Sequence, residues 1–400
     1  MSRVVIVGAG PTGATLALLL VQRGISVKLI EASRDFRRIF RGEALMPSGL
    51  DALQQMRLSD VIAEVPHTDI SGWEVIINDR SLFRVDEPLA KNGRVCTLIS
   101  QPHLLEKLIT KASNYREFEF TSGEVVKDII RQETGRISGV KLANNQEITA
   151  DLVIAADGRN SIIRQRAGLN LTKLSNSIDI LWFKLDSGSI FQTQNIFTSI
   201  VNQRQTFGVF KSSENQLHIG WGLHSDDAID WKQANWQEIL IAASPPWLAK
   251  HLKKYRNTIT KPILLSVIIG HCDRWSLPGL LLLGDAVHPM SPIRAQGINM
   301  ALRDAIVAAN YLVPVLTKEC NYDAIDHILP CIQQEREPEI IGIQQLQQEE
   351  MAQAEKLRNS AFLRWGAKTF APLISPFITY SWLKRQRKLR QGITNVKLSN

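Results

Sequence analysis

Three glycines near the N-terminus have the spacing that brings a backbone against a dinucleotide pyrophosphate. Gly8, Gly10 and Gly13 form a GxGxxG pattern within GAGPTG. The first glycine permits a tight turn, the second lets the backbone approach the pyrophosphate, and the third lets a helix pack on a strand. Glu31 ends the next apolar run, where its carboxylate can accept both ribose hydroxyls of an adenosine. Because an acid repels a 2′-phosphate, the pattern favours bound FAD or NAD over NADP.

The sequence around these glycines predicts the elements that must position them. VVIV has the pattern of a buried parallel strand, ATLALLLVQRG continues as an apolar helix, and ISVKLIE is typical of the next strand. Residues 4–21 superficially resemble a signal peptide, but glycines and a proline interrupt them and no cleavage region follows. A glycine turn that binds no nucleotide is the alternative, and the complete order of strand, turn, helix, strand and acid argues against it.

Two later segments indicate that the bound dinucleotide is FAD and not NAD. Residues 150–164, ADLVIAADGRNSIIR, give a buried strand followed by Asp157 and Gly158. Residues 279–305 give a second buried strand, Asp285, a proline-rich turn and a helix beginning near Gly297. An NAD dehydrogenase needs neither segment. Together with the glycine pattern, they resemble the ordered motifs of single-component FAD-dependent monooxygenases of the para-hydroxybenzoate hydroxylase type, the aromatic hydroxylase family, over roughly residues 1–320.

The resemblance implies which residues hold non-covalently bound FAD. The ADP half would lie against Gly8, Gly10, Gly13 and Glu31, and the remaining contacts would come from Arg41 (pyrophosphate and ribityl chain), Gln101 (ribityl and phosphate), Val126 (adenine, through its backbone), Asp157 (FAD and the nicotinamide cofactor) and Asp285 (a ribityl hydroxyl). The turn from Pro292 through Gly297 and Ile298 to Asn299 would abut the isoalloxazine ring. Backbone N–H groups at a helix start can stabilise negative charge on the reduced ring.

Three residues depart from the family pattern or stand out within it. Ala155 replaces the usual glycine of the second motif, and Ala295 replaces the first glycine of the ring-contacting turn. We expect their methyl groups to stiffen the turn and to oppose flavin movement. Arg294 is the candidate catalytic side chain, because a cation near the ring could steady an anionic substrate. The alternative is a solvent-facing arginine paired with a carboxylate.

The middle of the chain predicts a second, mostly antiparallel sheet that forms the substrate pocket. Residues 71–100 and 171–274 carry short alternating runs without helical periodicity. In QLHIGWGLH, Gly220 and Gly222 share one face, which lets a flat ring approach the sheet. The aromatic candidates for stacking on a substrate are Trp182, Phe207 and Trp221, and the alternative is that they are core residues.

The predicted fold is α/β, with a Rossmann-like FAD domain, an inserted β-sheet substrate domain and a C-terminal helical region. We assign residues 1–70, 101–170 and 275–330 to the FAD domain, residues 71–100 and 171–274 to the substrate domain, and residues 331–400 to the helical region. A chain of 400 residues is long enough for more than one core.

The resemblance implies a monooxygenase that uses NADH or NADPH and O2. A flavin C4a-hydroperoxide would hydroxylate or epoxidise an aromatic, polycyclic or quinone-like substrate, and no side chain need transfer a proton. The alternatives are a reductase or dehydrogenase of the same superfamily acting on a lipid, and a flavin-binding sensor without turnover.

Charge and cysteine usage exclude several other classes. The net charge of +8 comes from the end of the chain, since residues 351–400 hold ten lysines and arginines against one acid, Glu355. We therefore expect no nucleic-acid partner. The four cysteines form no CxxC pair and the histidines lack metal spacing, so we expect no metal and a reduced, cytoplasmic protein.

The tail allows a contact with a membrane surface, although docking on its own domain is the more common arrangement of a C-terminal helix and the interpretation we favour. Residues 369–383 are apolar but contain Pro372 and Pro376, so we expect them to be too short and too kinked to span a bilayer. KRQRKLR follows, with Tyr380 and Trp382 at the junction, an order that suits an anionic membrane surface. The alternative is that Phe370, Leu373, Ile374, Phe377 and Ile378 dock on the FAD domain.

Overall fold

The computed structural model describes residues 2–36, 43–89, 93–174, 178–224, 226–227 and 229–399. The strands are β1 (Ser2–Val7), β2 (Val27–Glu31), β3 (Ala44–Leu45), β4 (His67–Asp69), β5 (Gly72–Ile77), β6 (Arg80–Asp86), β7 (Thr97–Ile99), β8 (Phe118–Ser122), β9 (Val126–Arg131), β10 (Ile137–Leu142), β11 (Glu147–Ala155), β12 (Leu171–Lys173), β13 (Asp179–Asp186), β14 (Ile196–Asn202), β15 (Gln205–Lys211), β16 (Gln216–Leu223), β17 (Ile263–Leu265), β18 (Gly270–Cys272), β19 (Ser276–Leu277) and β20 (Leu280–Leu282). The helices are α1 (Pro11–Val21), α2 (Pro47–Gln55), α3 (Ser59–Glu64), α4 (Gln101–Ala112), α5 (Ile162–Arg166), α6 (Trp236–Ala243), α7 (Pro246–Lys254), α8 (Gln296–Leu316), α9 (Tyr322–Asn359), α10 (Ala361–Thr369) and α11 (Ala371–Gln391).

A largely parallel sheet carries the N-terminal glycine pattern. Its strand order is β19–β20–β11–β1–β2–β8, and the pairs from β20 to β8 are parallel. Parallel strands need cover on both faces, which explains why the β1 residues from Val4 to Val7 are apolar without alternation. On one face α1 packs between the sheet and α8, and every α1 residue from Thr12 to Val21 is buried. The antiparallel strands β9 and β10 cover part of the other face.

A second sheet has the order β17–β13–β16–β15–β14–β5–β6, with antiparallel pairs except between β14 and β5. Helices α6 and α7 cover one face of this sheet. The other face packs against residues from the N-terminal part of the chain, including Ala44 and Met46. The α/β class with a C-terminal helical region is therefore confirmed.

The C-terminal helices differ from expectation in two ways. Helix α9 runs unbroken through Pro330 and Pro338, so the predicted boundary at residue 331 falls inside a helix. Helix α11 also continues through Pro376, whereas the sequence predicted a kinked segment. Pro372 lies in the first turn of α11, where a missing N–H leaves no hydrogen bond unmade.

The docking alternative for the tail holds for only part of its residues. Ile374 and Ile378 pack into the cluster beneath the second sheet, but Phe370, Leu373 and Phe377 are exposed. Trp382, expected at a membrane junction, is buried in that same cluster. None of the helices in the described ranges combines the length and hydropathy needed to cross a membrane.

Candidate cofactor and substrate site

The glycine turn is packed tightly at its first and third positions and open at its second. A Cβ on Gly8, whose φ is +100°, would lie 2.3 Å from the Ala156 carbonyl oxygen, and one on Gly13 would lie 2.0 Å from that of Gly8. A Cβ on Gly10 would meet nothing within 4 Å. Gly10 is the N-cap of α1, and no side chain caps that helix. The open space at an uncapped helix N-terminus therefore fits a pyrophosphate.

Glu31 braces this turn from the end of β2. Its Oε2 accepts a hydrogen bond from the Ala9 N–H at 2.9 Å, and its Oε1 accepts one from the Ser33 N–H at 2.8 Å. The carboxylate is 4% exposed. Its position at the strand end agrees with a ribose-binding role, and it also holds the shape of the turn.

The second motif meets the glycine turn through Gly8 and caps a helix. Asp157 accepts hydrogen bonds on Oδ2 from the Ile162 and Ile163 N–H groups at the start of α5. Burial raises the pKa of Asp157. Arg164 of α5 then donates to the Ala286 carbonyl oxygen at 2.6 Å, which joins this motif to the third one.

The third motif places the carboxylate of Asp285 near the N-terminus of α8. Gly284 adopts a φ of +60° and packs its backbone against Thr12, since a Cβ there would lie 2.3 Å from Thr12 Oγ1. Asp285 is exposed, and its Oδ1 would lie 3.9 Å from a Cβ on Gly297. The three motifs thus converge on the N-terminal ends of α1 and α8.

We call residues 292–299 the flavin loop. Pro292 is exposed, Gly297 is half-buried and Ile298 is buried. Asn299 is fully buried: its Oδ1 accepts from the Met46 N–H, and its Nδ2 donates to the Ala44 and Ala295 carbonyl oxygens. The Asn299 side chain therefore clamps the loop to β3, and a contact with the cofactor is left to its backbone.

The remaining predicted cofactor residues lie at element starts. Gln101 is the first residue of α4 and Val126 is the first of β9, and both are buried. Arg41 lies outside the described residues.

The second sheet presents an aromatic face to the flavin loop. Trp182 covers Gly220, since a Cβ on that glycine would lie 2.8 Å from the indole, and it packs 5.9 Å from Phe210 and 5.5 Å from His218 between ring centroids. Trp182 and Phe210 belong to one apolar cluster with Ala295 and with Ala44 of β3. We call this surface the substrate face. Gly222 lies on the same side of β16, beside Thr206 and His224.

Two of the aromatic candidates belong to the opposite face. Phe207 and Trp221 stack at a centroid distance of 5.4 Å, and Trp221 packs edge-on against Trp236 of α6. Strand alternation puts them on the side covered by α6 and α7. They are core residues, which corrects their assignment to the substrate wall.

A half-buried carboxyl group beside the substrate face was missed by the sequence analysis. Burial, together with the nearby Glu214 charge, raises the pKa of Glu43 to about 8, although Lys184 opposes the shift. Lys184 lies on β13 two residues beyond Trp182, on the same side of the strand. Burial and Lys184 lower the pKa of His218 to about 3. The sequence feature that could have identified Glu43 as a candidate is its position immediately before the buried strand β3.

Arg294 is held away from solvent by residues of the C-terminal helices. Its guanidinium donates to Glu350 of α9 at 2.9 Å, and it lies 5.3 Å from the ring centroids of both Trp73 and Trp382. Arg385 of α11 also binds Glu350, at 2.8 Å. The expected pairing with a carboxylate is present, but the Arg294 side chain is only 10% exposed and does not face solvent. Arg294 therefore ties the flavin loop to α9 and α11.

The glycine turn, the strand ends and the N-termini of α1 and α8 together have the geometry of a dinucleotide-binding fold. The chain belongs to the family described as FAD binding domain, which matches residues 1–338. It is 30% identical over 343 residues to 6-methylpretetramide 4-monooxygenase of Streptomyces rimosus, covering 84% of this chain and 80% of that protein. It is 26% identical to squalene monooxygenase of Mus musculus over 75% of this chain, and spans 53% of that protein.

A solved structure shares the fold. The P. aeruginosa PqsL in complex with 2-aminobenzoylacetate superposes with a TM-score of 0.78 at 20% identity, covering 89% of this chain and 97% of that one. The chain is an FAD-dependent monooxygenase, an oxidoreductase.

Proposed function

We propose that the chain uses NADH or NADPH and O2 to hydroxylate or epoxidise an aromatic, polycyclic or quinone-like substrate between the flavin loop and the substrate face. The observation that carries this proposal is the single apolar cluster shared by Ala295 of the loop and by Trp182 and Phe210 of the sheet. A flat, apolar substrate matches such a wall. The relative that acts on 6-methylpretetramide supports the same substrate class.

FAD supplies the redox chemistry when it is bound. Gly10 and the N-terminus of α1 would hold its pyrophosphate, and Asp285 would accept a hydrogen bond from its ribityl chain. The N-terminus of α8 lies at the flavin loop, where its backbone N–H groups would stabilise negative charge on the ring. The aromatic wall excludes water from the reacting centre.

Glu43 is the residue we assign to the polar part of the substrate. A carboxyl with a pKa of about 8 is protonated at neutral pH, so it can donate a hydrogen bond to a carbonyl or phenolic oxygen. Among the described residues, Glu43 Oε2 has no hydrogen-bond partner. Its neighbours Ala44 and Lys184 belong to the walls of the proposed pocket.

The deciding experiment is turnover under 18O2 with a panel of phenols, quinones and polycyclic aromatics. We expect product that carries one 18O atom and a flavin that NADH or NADPH bleaches under anaerobic conditions. Reduced or desaturated product without 18O would identify a reductase instead. A flavin that neither nucleotide bleaches would identify a binding protein without turnover.

A further inference from the structure

Helices α10 and α11 expose a row of large apolar side chains that we call the apolar tail face. Each member is between 46% and 79% exposed: Phe362, Trp365, Phe370, Leu373, Phe377 and Tyr380. Since a large apolar side chain has about 150–250 Å² to bury, the six together expose roughly 600–1,000 Å². A continuous apolar surface of that size is typical of an interaction site.

The six side chains form one surface. Phe362 and Trp365 lie 5.9 Å apart between ring centroids, and Trp365 and Phe370 lie 6.0 Å apart. Phe370 joins the two helices, and its carbonyl oxygen accepts from the Leu373 N–H. Leu373, Phe377 and Tyr380 then follow at spacings of four and three, which places them along one side of α11.

The exposed side of α11 does not reflect a loosely attached helix. Ile374, Ile378 and Trp382, on its inner side, pack into the cluster that contains the substrate face. Arg385 binds Glu350 of α9, and Arg390 binds the buried Glu87. The helix is therefore anchored through one side while a second apolar side faces outward.

Basic residues continue the exposed side of α11 beyond Tyr380. Lys384, Arg387 and Lys388 are exposed and follow Tyr380 at helical spacing, and residues 356–400 contain no acid. The order is apolar, then aromatic, then basic. A symmetric contact between two copies of this surface would bring like charges together. Anionic lipid headgroups complement the basic residues, and the acyl boundary accepts the apolar ones.

We infer that the apolar tail face binds the surface of an anionic lipid bilayer, with α10 and α11 lying in the interface. The six apolar side chains enter the headgroup region, while the basic residues beyond Tyr380 contact the headgroups. Trp382 of α11 stacks on Arg294 of the flavin loop, so the bound helix lies directly over the site. This position suits a lipophilic substrate collected from the membrane, a consequence that rests on the proposed function.

The test is co-sedimentation of the FAD-loaded full chain with vesicles of phosphatidylcholine and phosphatidylserine, compared with phosphatidylcholine alone. We expect binding to the anionic vesicles that weakens with added salt. The double variant L373S and F377S should bind about tenfold more weakly or worse, because two large apolar side chains no longer leave water. The matched control is L264S and W247S, which changes two exposed apolar residues outside the face.

A second measurement reports contact without a change in stability. Brominated lipids should quench the fluorescence of Trp365, and the W365F variant should lose that component. Equal binding by wild type and by the L373S and F377S variant would overturn the inference. A wild type that does not bind the vesicles would also overturn it. The same holds if the wild type forms dimers, without binding vesicles, and the double variant is a monomer, because the face would then be a contact between two copies. The vesicles contain no substrate, so a failure here would leave the proposed oxygenation intact.

Discussion

Arg294 and Ala295 hold their backbones in the left-handed region, with φ angles of 58° and 48°. An L-residue in that region costs roughly 1–2 kcal/mol, which neighbouring contacts must offset. Glu350 and two indoles hold Arg294, and the Asn299 amide holds the Ala295 carbonyl oxygen. The flavin loop is therefore a strained segment fixed by α9 and α11.

Replacing Ala295 with glycine removes both the strain and the restraint. We expect A295G to stabilise the fold by up to about 1 kcal/mol, because glycine adopts this φ freely but loses more chain entropy. The freed loop should raise the H2O2 released per NAD(P)H consumed. A155G is the control: Ala155 is buried in β11, in a cluster that contains none of residues 292–299, so the expectation that its methyl group stiffens the loop is withdrawn. Glycine there should cost about 1 kcal/mol without changing H2O2 release. An unchanged H2O2 yield in A295G would show that the methyl group does not restrain the loop.

Glu43 predicts a pH dependence of substrate binding. Its pKa is raised to about 8, so the hydrogen-bond donor is present below that pH and is lost above it. We expect the substrate KM to rise as pH increases through about 8, and E43Q, which keeps a neutral donor, to show no such rise.

E214Q is a second variant on the same property. Glu214 helps to raise the pKa of Glu43, so removing its charge should move the rise in KM to lower pH. A wild-type KM that is constant across this range, or an E43Q profile identical to the wild-type one, would remove Glu43 from the site.

Asp285 should contribute to FAD retention as a hydrogen-bond acceptor. We expect D285A to weaken FAD binding by about 1.5–3 kcal/mol, the worth of a hydrogen bond to a charged group. Fluorescence titration of the apoprotein with FAD measures the change. D323A, which removes an exposed carboxylate at the start of α9, should bind FAD like the wild type. If both variants bind equally well, the cofactor contact lies elsewhere.

At the scale of elements, a buried charge network fixes α8, which begins at the flavin loop. Arg336 of α9 binds Asp304 of α8 at 2.8 Å and also binds Glu339, which accepts from Arg303 at 2.9 Å. His288, beside the third motif, lies 2.7 Å from Asp304. Burial opposes ionisation of Glu339, but Arg336 and Arg303 lower its pKa to about 2. The network sets the position of α8 relative to α9.

Removing one member of the buried charge network should lower the free energy of unfolding far more than removing a surface charge. We expect R336M to lower the free energy of unfolding by about 3–5 kcal/mol, because two carboxylates lose a buried partner. K107M, which breaks an exposed pair with Glu64, should change it by less than about 1 kcal/mol. Denaturant titration measures both, and similar losses would mean that the network contributes little.

The same network predicts acid sensitivity. The depressed pKa of Glu339 contributes stability that is complete above its ordinary value of 4.5 and lost as pH falls toward about 2. R336M should therefore unfold at a higher pH than the wild type.

The motifs were predictable because each consists of neighbouring residues whose types and order suffice. The period-two pattern of β16 also separated Trp221 from Gly220 correctly. It could not say which side would meet the flavin loop, because that depends on where α6 and α7 pack. Likewise Arg294 gave no sign of its partners, since Glu350 and Trp382 lie far along the chain.

At the scale of the whole molecule, the residues after α11 pack against α8, α9 and the core around α1. Glu339 Oε1 accepts from the N–H groups of Ile393 and Thr394, and Arg303 donates to the Thr394 carbonyl oxygen. Val396 is buried in the core that contains α1 and α8. The residues after α11 are therefore a strap over the charge network. Truncating α11 would remove this strap as well, so point variants are the cleaner test of the apolar tail face.

Removing only the strap measures what it contributes. We expect a chain ending at Gly392 to lose roughly 3 kcal/mol or more, because Val396 leaves the core and the Arg303 guanidinium and Glu339 carboxylate lose backbone partners. Thermal unfolding followed by FAD fluorescence should show a lower Tm, with FAD released in the same transition. K397A, which alters an exposed side chain in the strap, should leave the Tm unchanged. A truncated chain with the wild-type Tm would show that the strap merely covers the network without stabilising it.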